Sequence, residues 1–459
     1  MKKEKMYSKI TDNSRDITPG ALFISRPCAN AQQYLNDALV RGAAGVLLPA
    51  NHNLSVPPGP TISFSFDINT DTAKLAREYM PNLPKHLCGI TGTKGKTSIV
   101  ALVRQILQIL GKKSATIGTL GVVSDDWSEP GRNTTPFPIE LAETLQKLAE
   151  NGTQYVAMEL SSIGLDEKRA EFLPFDAIGF SNFSRDHLDY HGTMENYFAT
   201  KARLFSNDFN YKTAVINADD EWAKKLTPHS DIINIGFHGD KIKIISIRPN
   251  NDGQDVELIF FGKNYRLKTP LLGTFQIYNI LIAIGLVIGM GIAPDEIPLE
   301  KLFSELRAPR GRCEFVGNTR TGAAVYVDYA HTPDSLEKIL ETLREHTKNK
   351  LSVVFGCGGN RDMGKRAIMG KIANDLADNV IITDDNPRNE NPDLIREQIM
   401  TACPSARNMG DRELAIKTAI SELSDGDILV IAGKGHEDYQ LIGDKKYHFD
   451  DAEIAKKNL

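Results

Sequence analysis

The residues from Gly92 to Ser98 have the composition of a loop that binds phosphate. The apolar run Leu87–Thr91 precedes them, and an apolar helix is predicted from Thr97 to about Leu110. In such a strand–loop–helix unit, glycines let backbone N–H groups converge on a phosphate, and the helix N-terminus adds partial positive charge. We expect Lys96 to reach the β- and γ-phosphates of a nucleotide and the Thr97 hydroxyl to ligate Mg²⁺.

The spacing of this loop departs by one residue from the usual pattern G-x-x-x-x-G-K-[ST]. Ile90 stands where the first glycine belongs, and Gly89 is one place off. A glycine-rich surface turn is the alternative, but the flanking strand and helix favour a phosphate loop. We therefore expect ATP and Mg²⁺ as cofactors, with the nucleotide bound by Gly92, Thr93, Lys94, Gly95, Lys96, Thr97 and Ser98.

Further candidate side chains follow in the next hundred residues. Glu159 lies at the end of a predicted apolar strand, where a carboxylate is either exposed at the carboxyl edge of a sheet or an ordinary surface group. His187 and His191 have a spacing compatible with a zinc pair, although the stretch is not H-E-x-x-H and no third ligand is near in sequence. From sequence alone, Lys201 is a solvated helix residue.

The bulk properties are those of a soluble globular protein. The 459 residues predict about three domains. A formal net charge of −5 without a long basic block makes nucleic acid an unexpected partner, whereas small anionic substrates remain compatible. Five scattered cysteines, no C-x-x-C pair, no signal-like N-terminus and no apolar run of membrane-spanning length predict a cytoplasmic protein without membrane insertion. A monomer is the default expectation.

Apolar runs alternate with helical patterns along the chain, which predicts an α/β fold with parallel sheets covered on both faces. Three predicted strands run straight into the polar clusters DYAHTP, GCGGNRD and DDNPR, and open α/β sheets place their sites at such strand ends. We predict a small N-terminal α/β domain over residues 1–85, a central P-loop ATPase-like domain with a parallel sheet over 86–305, and a Rossmann-like α/β domain over 306–459. Residues 256–267 are expected to be antiparallel and more exposed, and 275–291 to form an apolar helix.

Taken together, the motifs resemble those of the Mur ligases, the ATP-dependent ligases that form peptide bonds in cell-wall synthesis. The resemblance extends in order from about residue 10 to 445. It rests on GTKGKT (92–97), NSRDITPGALF (13–23), NTTP (133–136), MELSS (158–162), SNFSRDHLDYHGTMENYFATKARLF (181–205), GRCE (311–314), VDYAHTPDSLEK (327–338), FGCGGNRDMGKR (355–366), DDNPR (384–388) and GKGHEDYQ (433–440).

The resemblance implies a reaction and a first substrate. A carboxylate attacks the γ-phosphate of ATP to give an acyl phosphate, and an amine then displaces phosphate. The implied carboxylate substrate is UDP-MurNAc-L-Ala-D-Glu, bound by the N-terminal domain and by residues along its sugar and peptide. These are Ser14, Asn133, Thr134, Thr135, Ser161, Glu167 and Arg169, and for each hydroxyl the alternative is a loop side chain that bonds the backbone.

The resemblance also implies the metal and nucleotide residues. Glu159 and Thr97 would hold one Mg²⁺, and His187 a second. Lys201 would carry a carbamate formed from CO₂ and the neutral amine, which converts a cation into an anion that helps to hold the second ion. Lys96, Glu159, His187 and Lys201 are thus the expected catalytic residues, and Asn279, Arg312 and Asp328 join the nucleotide site, with Asn279 and its neighbour Phe275 alternatively a helix-capping amide and a core aromatic.

The implied amine substrate is meso-diaminopimelate. It would be bound by Arg361, Asp385, Asn386, Pro387, Arg388, Gly433 and Glu437. The planar guanidinium of Arg388 suits the far carboxylate of this amino acid, and Glu437 suits its far ammonium. In isolation, the DNPR sequence is also an ordinary Asx-Pro turn.

Several positions depart from the family's pattern. The segment 26–34 (RPCANAQQY) is shorter than usual and lacks a glycine, which puts recognition of the UDP end in doubt. Ile163, Glu167 and Gln276 also differ from the common residues. A relative that ligates a different acid and amine, such as a specialised metabolite or a folate, is therefore an alternative, and a non-catalytic ATP-sensing scaffold is another.

Overall fold

The computed structural model describes residues 6–250 and 253–459. The chain forms two compact units, one of Met1–Lys243 with Tyr278–Ile297 and the other of Ile244–Ile277 with Pro298–Leu459. Both units are built from α/β elements with mostly parallel strands, which confirms the predicted fold class. The domain boundaries at residues 85 and 305 stay predictions.

The N-terminal elements form a parallel sheet of order β1-β2-β3-β4. The sheet and helix α2 share a hydrophobic cluster with helix α4 of the following region, in which Met80 and Ile139 are buried. In chain order the elements are β1 (Ile10–Thr11), β2 (Leu22–Ile24), α1 (Ala31–Val40), β3 (Gly45–Pro49), β4 (Thr61–Ser65) and α2 (Ile68–Tyr79).

The central region continues the first unit. Its elements are β5 (His86–Thr91), α3 (Lys96–Ile109), β6 (Ser114–Gly118), β7 (Gly121–Ser124), β8 (Ser128–Glu129), α4 (Pro138–Glu150), β9 (Tyr155–Glu159), α5 (Ser162–Asp166), β10 (Pro174–Phe180), α6 (Leu188–His191), α7 (Met194–Ala202), β11 (Asn210–Asn217) and β12 (Asp231–Gly236). Strands β12, β11, β10, β5, β9 and β6 are neighbours in that order and parallel, and β7 and β8 add antiparallel pairs. Strand β5 therefore lies inside the sheet and delivers its carboxyl end to the phosphate loop.

The elements that follow are β13 (Ile242–Asn250), β14 (Gly253–Phe260), β15 (Lys263–Thr269), α8 (Thr274–Gly289) and α9 (Leu299–Glu305). Strands β14 and β15 pair antiparallel, as predicted for residues 256–267. Helix α8 is apolar, and Ile277 and Ile280 to Ile284 are fully buried. Phe275, at its start, is 42% exposed, so the interpretation of this ring as a core aromatic is wrong.

The C-terminal sheet has the order β16-β17-β21-β18-β19-β20, with only the β16–β17 pair antiparallel among the described strands. The elements of this region are β16 (Glu314–Asn318), β17 (Ala324–Asp328), α10 (Pro333–Arg344), β18 (Leu351–Phe355), α11 (Lys365–Leu376), β19 (Asn379–Ile382), α12 (Pro392–Met400), β20 (Arg407–Asn408), α13 (Arg412–Ser421), β21 (Ile428–Ala432), β22 (Tyr439–Ile442), β23 (Lys445–His448) and α14 (Asp451–Asn458), and β22 and β23 pair as a separate hairpin. The polar clusters after β17, β18, β19 and β21 therefore share one sheet edge. Among the described residues, no helix is both long and apolar enough to cross a membrane.

Candidate active site

The phosphate loop lies between strand β5 and helix α3, as predicted. Gly92 has a φ of 146° and Gly95 a φ of 85°, backbone conformations that favour glycine. The Lys96 ammonium donates to the Gly92 and Thr93 carbonyls at 2.8 and 2.9 Å, so its charge is held over the loop. This geometry supplies the converging backbone and the cation that a nucleotide phosphate requires.

Side chains from the segment after β10 fix the shape of this loop. The Asn182 amide accepts from the Lys94 N–H at 3.0 Å and donates to the Lys94 carbonyl at 3.0 Å. The Ser181 hydroxyl donates to the same carbonyl at 2.7 Å, and the Tyr197 hydroxyl to the Thr93 hydroxyl at 3.3 Å. None of these three residues was singled out from the sequence, because their contacts with the loop span about ninety residues or more of chain.

Thr97 and Glu159 meet at the edge of the sheet, where β9 ends beside β5. The Thr97 hydroxyl donates to Glu159 Oε2 at 3.0 Å, and the Glu159 side chain is buried. A hydroxyl and a carboxylate oxygen at this distance fit Mg²⁺, which prefers oxygen ligands in an incomplete shell completed by water and phosphate. The interpretation of Glu159 as an ordinary surface carboxylate is therefore wrong.

Lys201 is buried rather than solvated. Its side chain is 1% exposed, and its ammonium nitrogen lies 2.8 Å from the Gly92 carbonyl and 4.6 Å from the Tyr197 ring centroid. Burial, followed by the nearby charge of Lys96, lowers the pKa of Lys201 well below its ordinary value. The neutral amine, which is the form that reacts with CO₂, is therefore favoured at this position.

The two histidines have different environments. His187 is about half exposed, has a left-handed φ of 49°, and its ring lies 6.1 Å from that of Tyr197. His191 is buried, its Nε2 lies 3.0 Å from the Ser162 hydroxyl, and burial lowers its pKa. Within residues 6–250 and 253–459, no group of three or more His, Cys, Asp or Glu side chains is arranged to hold a metal ion. The zinc alternative gains no support.

Asn279, on helix α8, contacts the phosphate loop. A Cβ atom added to Gly95 would lie 2.6 Å from Asn279 Oδ1, so the absence of a side chain at Gly95 makes room for this amide. The structure thus brings Asn279 to the predicted nucleotide loop although the two lie far apart in sequence.

We expect Gly95→Ala to raise the dissociation constant for ATP at least tenfold. The new methyl group would displace Asn279 and strain a left-handed residue by about 1–3 kcal/mol. Gly111→Ala is the matched control, because Gly111 has a φ of 68° and no atom within 4 Å of the added Cβ. Titration with a fluorescent ATP analogue measures both variants; equal effects would show that the contact with Asn279 is unimportant.

The residues assigned to the carboxylate substrate are only partly brought together. Thr135 is fully buried, and its hydroxyl donates to the Glu159 carbonyl and accepts from the Ser161 N–H, both at 2.9 Å. The Ser161 hydroxyl caps helix α5 through the Gly164 N–H at 3.1 Å. These hydroxyls hold the chain around Glu159, which is the backbone-bonding alternative that the sequence left open.

Arg169 and Glu167 form an ion pair. Glu167 Oε2 accepts from two Arg169 nitrogens at 2.9 and 2.7 Å, while a third donates to the Thr135 carbonyl at 2.6 Å. The guanidinium of Arg169 lies 4.0 Å from the Phe137 ring centroid, and that of Arg26 lies 4.4 Å from the same centroid. The negative charge of Glu167 is thus balanced by Arg169.

The remaining residues predicted to bind the carboxylate substrate have separate contacts. Asn133 lines a cavity of about 220 Å³ together with Trp127 and Glu140. The Thr134 hydroxyl lies 3.2 Å from that of Thr119. Ser14 lies apart from them, in hydrogen-bond contact with Asp37, whose pKa it lowers.

In the second unit, the predicted nucleotide residues lie near the end of β17. The Asp328 carboxylate accepts from the Cys313 N–H at 2.6 Å and the Ala330 N–H at 2.8 Å. The Arg312 guanidinium lies 4.7 Å from the Tyr329 ring centroid. Each of the two side chains thus contacts the motif that contains the other.

The residues predicted to bind the amine form a cluster after β19 and β21. The Asn386 amide donates to Glu437 Oε2 at 2.9 Å, and Arg388 Nη1 donates to the Gly359 carbonyl at 3.0 Å. Arg388 has a positive φ of 53°, and its backbone bonds Leu441 and Gly443 of the β22–β23 hairpin. Gly433 lies near Asp385, and Pro387 packs against Gly359 in the loop that follows β18. Arg361 is exposed on that same loop. The DNPR segment is therefore part of a hydrogen-bonded cluster and not an isolated turn.

Lys434 is a buried cation in this cluster that sequence reasoning missed. Its ammonium lies 3.3 Å from Asn386 Oδ1, 3.4 Å from Glu437 Oε2 and 3.7 Å from Asp385 Oδ1. Burial raises the pKa of the Asp385 carboxyl, and Arg412 and Lys434 oppose that shift. The GKGHE motif contains Lys434, but nothing in the sequence shows that the side chain turns inward.

We expect Lys434→Met to weaken binding of the amine substrate at least tenfold and to destabilise the fold by about 3 kcal/mol, because it removes one of the two cations that oppose the charge of the buried Asp385 carboxylate. Lys446→Met, at an exposed cation on the β22–β23 hairpin, is the control. Steady-state KM values and urea unfolding give the two readouts. An unchanged KM together with the lost stability would restrict Lys434 to a folding role.

Two segments of the chain match the domains of one known family. Residues 90–287 match the Mur ligase middle domain, and residues 311–435 match the domain described as "Mur ligase, glutamate ligase domain". The chain belongs to the Mur ligase family, whose members are ATP-dependent, ADP-forming ligases.

Relatives of one type are similar over nearly the whole chain. The UDP-N-acetylmuramoyl-L-alanyl-D-glutamate–2,6-diaminopimelate ligase of Mesorhizobium japonicum is 42% identical, over 98% of this chain and 94% of its own. The enzyme of the same name from Caulobacter vibrioides is 41% identical, with the same coverage. A solved structure of such a ligase superposes with a TM-score of 0.73 at 30% identity, covering 98% of this chain and 94% of its own.

Proposed function

We propose that this chain is the ATP-dependent ligase that adds meso-diaminopimelate to UDP-MurNAc-L-Ala-D-Glu in the synthesis of peptidoglycan precursors. Support for the reaction comes from family membership, and support for the substrates comes from relatives of that name that match nearly the whole chain. A cytoplasmic location stays a prediction of the cysteine pattern.

The reaction proceeds in two steps, formation of an acyl phosphate and formation of the amide. A carboxylate oxygen of the D-Glu residue attacks the γ-phosphorus of ATP, the bond to ADP breaks, and an acyl phosphate forms. The neutral amine of diaminopimelate then attacks the acyl carbon, phosphate leaves, and the amide nitrogen loses a proton. Charge develops on the phosphoryl oxygens in the first step, so catalysis depends on positioning and on fixed positive charge.

In this proposal the residues of the first unit position the phosphoryl group. The Gly92–Ser98 loop and helix α3 bind the phosphates, and Lys96 neutralises developing charge. Thr97 and Glu159 would hold Mg²⁺, which supplies positive charge to the phosphoryl oxygens when bound. His187 and carbamylated Lys201 are proposed for a second ion, supported by the burial of Lys201 beside Gly92 and its lowered pKa.

The observation that carries the choice of amine is the cluster of Asn386, Arg388 and Glu437 at one sheet edge. Arg388 would bind the far carboxylate of diaminopimelate, and Glu437 its far ammonium. Both groups are held by neighbouring backbone and side chains, which restricts their orientation before a substrate binds.

Mass spectrometry of the products tests the proposal. Incubation with ATP, Mg²⁺, the UDP-muramyl dipeptide and meso-diaminopimelate should yield ADP and a product heavier by one diaminopimelyl residue, and omission of either substrate should abolish the heavier product and the sustained formation of ADP. ADP without the heavier product, or neither, would favour a Mur-type ligase for a different acid and amine.

A further inference from the structure

A hydrogen-bond relay surrounds the Glu159 carboxylate, and Thr119 is its centre. Thr119 directly follows β6, which pairs with β9, the strand that ends in Glu159. The Thr119 N–H donates to Glu159 Oε1 at 2.8 Å, and the Thr119 hydroxyl donates to Oε2 at 3.2 Å. Thr119 thus donates to both carboxylate oxygens of Glu159, and Thr97 also donates to Oε2.

The strand before Thr119 also shapes the space that Glu159 occupies. A Cβ atom at Gly118 would collide with Oε1 of Glu159 and would lie 2.7 Å from its Cδ. The Glu159 carboxylate therefore packs against the backbone of Gly118 and is hydrogen-bonded by the next residue, Thr119. A carboxylate held in this way has a single orientation at the place where Thr97 meets it.

The relay continues to Thr134, one of the residues predicted to bind the carboxylate substrate. The Thr119 hydroxyl lies 3.2 Å from the Thr134 hydroxyl. A carboxylate that is to hold a metal ion accepts hydrogen bonds and donates none, and a hydroxyl has one proton. Because Thr119 gives its proton to Glu159, it accepts from Thr134, and Thr134 has only acceptor capacity left for a ligand.

We propose that Thr119 is a positioning residue that orients the Glu159 carboxylate, and that the direction of the relay makes Thr134 a hydrogen-bond acceptor toward the substrate. Thr134 then selects an N–H or O–H group of the carboxylate substrate, not its carboxylate. The first part concerns metal and nucleotide alone, whereas the second part rests on the proposed function.

The first test removes only the hydroxyl of the relay. Thr119→Val keeps the backbone N–H, Thr119→Ser restores a hydroxyl, and Thr116→Val makes the same change opposite Ala157, two residues before Glu159 in the adjacent strand. Mg²⁺-dependent binding of a fluorescent ATP analogue is measured without the other substrates.

We expect Thr119→Val to require at least fivefold more Mg²⁺ for half-maximal binding, Thr119→Ser to restore the wild-type value, and Thr116→Val to leave it unchanged. A Thr119→Val response equal to that of Thr116→Val would overturn the positioning role. So would a loss that Thr119→Ser fails to rescue, because packing would then be the cause. Neither result depends on the identity of the amine or the acid.

The second test uses substrate analogues with the ligase assay. One replaces the L-Ala–D-Glu amide N–H by an ester oxygen, and the other lacks the free hydroxyls of the sugar. For the wild type, one of the two analogues should have a KM at least fivefold higher than the natural substrate. For Thr134→Val, that same analogue and the natural substrate should have equal KM values. If each analogue raises KM in Thr134→Val as much as in the wild type, the assigned polarity of Thr134 is wrong. If the wild type does not turn over the natural acid and amine, the proposed function is rejected instead.

Discussion

Lys201→Ala should lower kcat by about 100- to 1,000-fold, the range observed when one preorganised electrostatic group is removed from an active site. Lys201 lies against the phosphate loop, with its nitrogen 2.8 Å from the Gly92 carbonyl, and its side chain is 1% exposed. An unmodified ammonium would add to the charge of Lys96, whereas a carbamate supplies anionic oxygens that can hold a metal ion. Lys212→Ala, at a side chain that is 76% exposed, is the control.

Two readouts separate the carbamate from a structural role of Lys201. Carbon-13 NMR of wild type in labelled bicarbonate should show one carbamate signal that is missing from Lys201→Ala. Formate or acetate should partly restore the activity of this variant, because each supplies the missing carboxylate-like oxygens. Near wild-type turnover of Lys201→Ala, or a wild-type protein without the signal, would contradict the assignment.

Arg388→Ala should raise the KM for meso-diaminopimelate by about 100-fold, since truncating one member of a desolvated charge pair costs roughly 2–5 kcal/mol. The guanidinium is held by the Gly359 carbonyl, and the backbone on both sides of it is bonded to the β22–β23 hairpin. Its orientation is therefore set before the amino acid arrives. A lysine substrate has no far carboxylate, so its already poor use should change little.

The control for this variant is Arg407→Ala, which removes an arginine paired with Glu422 on the surface of the same unit. Competition between diaminopimelate and L-lysine gives the ratio of their kcat/KM values for each protein. Equal preference in wild type and Arg388→Ala would show that the far carboxylate is selected elsewhere.

Local features of the sequence predicted the framework of the site well. Strand β5 (His86–Thr91) agrees within one residue with the predicted apolar run Leu87–Thr91, and the phosphate loop, Glu159 and the DNPR segment lie at strand ends where an α/β sheet requires them. Apolar periodicity and the positions of glycines indicate such features, because strands and tight loops are determined largely by residues that are close together in the sequence.

The parts that sequence could not predict depend on the directions of side chains across the fold. Lys201 lies on a helix with ordinary flanking residues, yet it is buried because α7 places it beside Gly92, over a hundred residues away. Thr119 and Lys434 resemble a loop hydroxyl and a surface cation until the strands bring them to Glu159 and Asp385. An arginine such as Arg169 suits an anionic substrate, but in the structure its guanidinium donates to the Glu167 carboxylate and the Thr135 carbonyl.

The measurement that tests the central claim most directly is phosphate release with ATP, Mg²⁺ and UDP-MurNAc-L-Ala-D-Glu, with meso-diaminopimelate compared against L-lysine. We predict strong release with diaminopimelate and only background release with lysine, because Arg388 and Glu437 bind groups at the far end of diaminopimelate. Release with lysine alone would keep the ligase reaction but overturn the roles of the DNPR segment. No release with either amine would contradict the proposed function and direct attention to the Arg26–Tyr34 segment as the determinant of a different carboxylate substrate.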